Sequence, residues 1–78
     1  MNNKERVRVQ MAHLLNQPVE SFRDEVELKS VVHSSFALVE VIIELQDEFG
    51  VRFGQADMQG VTTVGDLIDL FAMRLGSG

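Results

Sequence analysis

The segment from Ser35 to Phe49 constrains this chain more than any other. Leu38, Val41, Ile42, Leu45 and Phe49 recur at helical spacing and form one stripe, which Phe36, Val39 and Ile43 widen. Glu40, Glu44, Asp47 and Glu48 repeat on the opposite side at i, i+4, i+7 and i+8, and Gly50 follows where a helix-ending glycine belongs. A helix with one apolar stripe must bury it against another element. Two other segments offer a matching stripe. Residues 3–16 place Val7, Met11, Leu14 and Leu15 on one face, with Lys4, Arg6 and Arg8 on the other sides and Asn16-Gln17-Pro18 as a stop. Residues 64–75 place Val64, Leu67, Ile68, Phe71 and Leu75 on one face. Thr63 opens that segment as an N-cap, and Asp66 stands three residues on, the spacing of a capping box.

The connections are less regular. Residues 17–34 hold Val19, Phe22, Val26, Leu28, Val31 and Val32 without a sustained period, yet they are too apolar to float free of the core. Residues 51–62 read as a loop with one short helical turn near Ala56–Gln59, bounded by Gly54 and Gly60. Gly76 to Gly78 should fray as a disordered tail. Alternation of period two never persists, so no strand is expected. A chain of 78 residues has room for one hydrophobic core. The prediction is a single all-α domain over 1–78: a four-helix bundle of three longer helices and one short one, with a long loop between the first and second.

Composition removes several functions. The chain has no cysteine, which excludes disulfides, thiolate metal sites and cysteine nucleophiles, and it fits a reducing, cytoplasmic setting. Acidic residues outnumber basic ones 12 to 7, a surface that repels a phosphate backbone, so no nucleic-acid partner is expected. The stretch Phe36–Val39 is among the longest unbroken apolar runs, far below a membrane span, and no membrane insertion is expected. Gly-rich phosphate loops and metal-ligand spacings are absent, and His13 and His33 read as surface residues. The carboxylates of 40–48 lie opposite the apolar stripe, where nothing would raise a pKa for acid–base work. The chain therefore reads as something other than an enzyme. Its unmixed acidic face is either a solvated surface or a docking face for basic partners; pattern alone leaves both open.

One feature points to chemistry. Ser34 and Ser35 lie where the long loop meets the acidic helix. A hydroxyl there is an ordinary N-cap, or it is an exposed nucleophile at the positive end of a helix dipole, where an attached anion would be held favourably.

The run Ser34-Ser35-Phe36-Ala37-Leu38-Val39-Glu40-Val41-Ile42-Ile43-Glu44-Leu45-Gln46-Asp47-Glu48-Phe49-Gly50 resembles the modification-site helix of acyl carrier proteins. Val61-Thr62-Thr63-Val64 resembles the segment that opens the family's last helix, and Leu28-Lys29-Ser30-Val31 its approach to the serine. Length, acidity, absence of cysteine and helix order agree across essentially the whole chain. The resemblance implies that Ser35 receives 4′-phosphopantetheine from coenzyme A through a phosphopantetheinyl transferase. The arm would then carry an acyl group as a thioester. Alignment of Phe36 with the family's apolar residue after the serine, and of Val39, Ile42 and Ile43 with core positions, selects Ser35 over Ser34. The resemblance further implies partner docking through Phe36, Glu40, Glu44, Asp47 and Glu48, and an acyl groove lined by Leu38, Val41, Ile42 and Met58. The implied partners are an acyl-loading ligase or acyltransferase and a ketosynthase or similar biosynthetic enzyme, served by a monomer. Three positions depart from the family pattern: Ser34 replaces an Asp, Val32 a Gly, and Ala37 a residue acidic in many fatty-acid carriers. Ser35-Phe36 is similar to the Ser-Phe of D-alanyl carrier proteins and of some specialised carriers. Together these imply a dedicated acyl or polyketide-like carrier. The alternatives are a D-alanyl or peptidyl carrier, or an unmodified helical interaction module.

Overall fold

The first helix, α1 (Asn3–Leu15), begins where Asn2 accepts a hydrogen bond from the Glu5 amide at 2.8 Å. Glu5 also supplies the acid that the dipole favours in a first turn. The helix ends at Asn16, whose left-handed φ of 55° is one that asparagine tolerates. The computed structural model describes residues 2–76. After a 3-10 turn at Val19–Ser21 come the one-turn α2 (Leu28–Val31), the long α3 (Ser35–Phe49), the one-turn α4 (Gln55–Met58) and α5 (Val64–Arg74). The described residues form no named strand; a single isolated bridge pairs Glu27 with Thr63. The all-α bundle of three long helices is as expected. The long connection contributes a second short helix that periodicity did not reveal, because one turn is too brief to repeat a period.

The core follows from the three stripes. α1 packs against both α5 and α3. Val7 and Met11 of α1, Val41 and Leu45 of α3, and Val64, Leu67, Ile68 and Phe71 of α5 are all buried. The connection adds Phe22, Leu28, Val31 and Val32, so it packs on the core as its composition requires. Each such side chain taken fully from water stabilises the fold by about 1.5–3 kcal/mol before entropy is charged against it.

Two loops are laced together beside this core. The Leu28 amide donates to the Thr62 carbonyl at 2.9 Å, the Val64 amide to the Val26 carbonyl at 2.8 Å, and the Gly65 amide to the Asp24 carbonyl at 3.0 Å. The approach is so close that a Cβ on Gly65 would stand 2.9 Å from both the Cβ and the carbonyl oxygen of Asp24. Arg8 anchors the same loop from α1. It donates to the Phe22 carbonyl, to Asp24 at 2.7 Å and to Glu5 at 3.2 Å. Burial opposes its charge, but the bonds to Asp24 and Glu5 outweigh that and raise its pKa. Arg8 is thus a structural tie where sequence placed it among the residues off the apolar face.

One expectation is corrected. Phe36, Val39 and Ile43 do not widen the buried stripe: they are 74%, 52% and 50% exposed. The bundle has too few elements to surround α3, so only the flank facing α1 and α5 is sealed. The tail expected at 76–78 falls partly outside the described residues, where Ser77 and Gly78 lie; the Gly76 amide still bonds the Met73 carbonyl at 3.2 Å.

Candidate functional site

The two serines have separate roles. Ser34 is the N-cap of α3, in extended backbone, and its Oγ accepts from the Ala37 amide at 3.1 Å. Ser35 is the first helical residue, exposed, and its hydroxyl makes no hydrogen bond among the described residues. The first amides of a helix have no partner within it. Ser34 satisfies Ala37 and Leu38 through its side chain and carbonyl, which leaves the Ser35 and Phe36 amides at the positive end of the dipole. No acidic side chain lies in this first turn.

Ser35 stands at the edge of an apolar groove of 390 Å³. α3 provides one side through Leu38, Val39, Ile42, Ile43 and Gln46. The segment from Phe53 through α4 provides the other through Phe53, Gly54, Met58 and Val61, and Leu28 of α2 completes it. Of the residues expected in an acyl groove, Leu38, Ile42 and Met58 are therefore together. Val41 is not among them. It is buried against the α1 side and borders a different, larger opening of 600 Å³, with Leu14, Leu15, Ala37, Glu40, Ile43 and Glu44. A helical wheel gives the stripe but not which flank meets which neighbour. That opening has two carboxylates on its rim and does not include Ser35, so the smaller groove is the one joined to the nucleophile. Sequence reasoning missed Leu28, Val39, Ile43, Phe53 and Val61. Leu28 and Val61 were available as apolar members of the two connections, but only the lacing of those loops brings them beside α3.

Glu40, Glu44, Asp47 and Glu48 are all exposed along α3. Asp47 alone has a cation near it, Arg52 at 3.9 Å; the other three pair with no described residue. Among them stand Phe36, Val39 and Ile43, at i, i+3 and i+7, a ridge of apolar side chains between carboxylates. Such a face gains little for folding and suits a partner that is both apolar and basic.

An exposed hydroxyl, two free amides at a helix start and an adjoining apolar groove fit a phosphodiester-linked arm with an apolar cargo. No group of three or more His, Asp or Glu among the described residues is arranged to hold a metal, and no described helix is long and apolar enough to cross a membrane.

Comparison with known proteins bears on the same residues. The family model for the phosphopantetheine attachment site matches residues 5–71. An acyl carrier protein of Saccharopolyspora erythraea is 34% identical over 67 residues, covering 85% of this chain and 70% of that protein. One of Acidothermus cellulolyticus is 29% identical over 80 residues, covering 90% and 89%. A meromycolate extension acyl carrier protein of Mycolicibacterium aurum is 31% identical over 51 residues, covering 65% and 47%. The prosthetic group of such domains is 4′-phosphopantetheine, covalently attached. A serine released from capping beside an apolar groove and a family match that spans both lead to one conclusion: the chain belongs to the acyl carrier protein family.

Proposed function

We propose that Ser35 is the attachment serine and that the protein carries an acyl intermediate between enzymes without catalysing a reaction itself. The observation behind this reading is the division of labour at the start of α3: Ser34 occupies the capping position, so the Ser35 hydroxyl is free, exposed and beside the groove. When bound, the arm supplies a terminal thiol that holds cargo as a thioester, which reconciles thiol chemistry with a chain lacking cysteine. The chain's own contribution is positional. The helix start favours the phosphodiester, and Leu38, Ile42, Phe53 and Met58 withdraw the cargo from water. Glu40, Glu44, Asp47 and Glu48 steer basic partners, and Phe36 gives them an apolar anchor. The partners of this reading are a phosphopantetheinyl transferase, a loading ligase or acyltransferase, and a ketosynthase or comparable enzyme, working in the cytoplasm.

A dedicated acyl or polyketide-like pathway fits this surface better than general fatty-acid synthesis. Phe36 is 74% exposed directly after the serine, and Ala37 leaves the first turn without an acid, so partner recognition near the arm is apolar. The same Phe36 supports the D-alanyl or peptidyl carrier as the second reading. Intact mass after incubation with coenzyme A, magnesium and a broad-specificity transferase tests the assignment. Wild type and Ser34→Ala should each gain one phosphopantetheinyl mass, and Ser35→Ala none. An adduct that survives Ser35→Ala overturns the site, and no adduct on folded wild type favours the unmodified interaction module.

A further inference from the structure

We propose that Arg74 is a positioning residue that fixes the α4 wall of the groove and thereby sets the length of chain the groove admits; the proposal rests on the carrier reading above. α4 has no fully buried described side chain; Met58 packs half-buried against the core, and the amides of the segment bond only within it, Asp57 to the Gly54 carbonyl at 3.1 Å and Gln59 to the Ala56 carbonyl at 3.4 Å. Side chains hold it instead. Phe53 meets Phe71 edge-on with ring centroids 4.8 Å apart, and its amide donates to Gln46 Oε1 at 2.9 Å. The polar grip comes from one guanidinium. Arg74, in the last turn of α5, donates to Asp57 Oδ1 at 2.8 Å and to the Arg52 carbonyl at 3.2 Å, and its Cζ lies 5.2 Å from the centre of the Phe53 ring.

These three contacts bracket Phe53 and Gly54, which line the groove on this side, and end at Asp57, next to the lining residue Met58. Asp57 works inward as well, accepting from the Gly54 amide at 3.0 Å, so the Arg74 grip passes directly to the start of α4. A planar fork that also stacks on a ring can hold all three points at once; an ammonium cannot. The Arg74 and Asp57 side chains are 43% and 34% exposed, so water competes for the pair and the grip is reversible. The opposite wall belongs to α3, whose Val41 and Leu45 are buried in the core. When a chain needs more than the 390 Å³ at hand, α4 is the wall that yields, and Arg74 sets the resistance.

Amide exchange on the apo-protein tests the grip. In Arg74→Gln, amides between 53 and 61 should exchange roughly threefold to tenfold faster while core amides of α1 and α5 keep their rates, since a local opening is released and not the global one. Arg74→Lys should restore part of the protection. Unchanged exchange at 53–61, or equal acceleration throughout the chain, overturns the proposal. A second arm uses Ser35 loaded with butanoyl, octanoyl or dodecanoyl chains. The gain in Tm should level off at a longer chain in Arg74→Gln than in wild type; the same plateau in both overturns the length-setting role. If Ser35 accepts no arm, the carrier reading fails on its own, and exchange in the apo-protein still decides whether Arg74 holds α4.

Discussion

The two one-turn helices, α2 and α4, both line the groove beside α3 and are held by different forces. α2 brings Leu28 and Val31 into the core, and the chain around it is tied to the start of α5 by backbone bonds from Leu28, Val64 and Gly65. α4 brings only the half-buried Met58 against the core and is otherwise held by Phe53 and the Arg74 guanidinium. Backbone bonds between laced loops fix a register and cannot slip without breaking together. Exposed side-chain contacts exchange with water one at a time. A groove lined by both kinds is firm beside α2 and gives way first beside α4.

The sharpest way to break this contrast is to truncate one side chain in each wall. Leu28→Ala should cost about 2–5 kcal/mol in urea unfolding, because Leu28 is 3% exposed and leaves a cavity in the core. Met58→Ala, in the half-buried wall, should cost about 1 kcal/mol or less. Equal costs would mean that α4 is as integral as α2. Gly65→Ala comes next. Its Cβ would press on Asp24 backbone and not on a flexible tip, so a loss of about 1–3 kcal/mol is expected, with the 24–28 loop displaced in amide chemical shifts.

The smallest effect is in acid. Asp66 is held below the ordinary carboxylate range by the Thr62 and Thr63 amides, and Asp57 by the Gly54 amide and by Arg74. Because their folded pKa values lie below the usual 3.8, the stability they confer is complete above that value. It disappears as pH falls through the lower folded values. Asp66→Asn and Asp57→Asn should each flatten the fall of the urea midpoint below pH 3.8. A decline as steep as wild type in both would show that other groups govern acid unfolding.

Local signals were legible in the sequence. Thr63 and Asp66 form the reciprocal cap that their spacing announces, Gly50 takes the left-handed turn after α3, and the stripes of α1 and α5 are buried except at Leu14, Leu15 and Leu75, which are half-buried. The phosphopantetheine family was legible as well, because its signals lie in contiguous runs. What was not legible depends on contacts between distant segments. Val41 and Ile42 are neighbours on one stripe, yet Val41 faces α1 and Ile42 the groove. Val39 and Ile43 look like core on a wheel and are half exposed, since no element covers that flank. Arg8 reads as a charge off the apolar face and nothing in the pattern singles out Arg74, yet each ties two segments that lie far apart in the chain.

The neutral cap at Ser34 has a consequence for the charge around the neighbouring hydroxyl. A carboxylate in that position would titrate in mild acid and, when ionised, would spend part of the helix's positive potential on itself. A hydroxyl does neither, and no acid follows in the first turn. An anion seated on Ser35 therefore meets that potential undiminished by a capping carboxylate. The entrance to the carrier's one long acidic helix is, in this chain, its least acidic point.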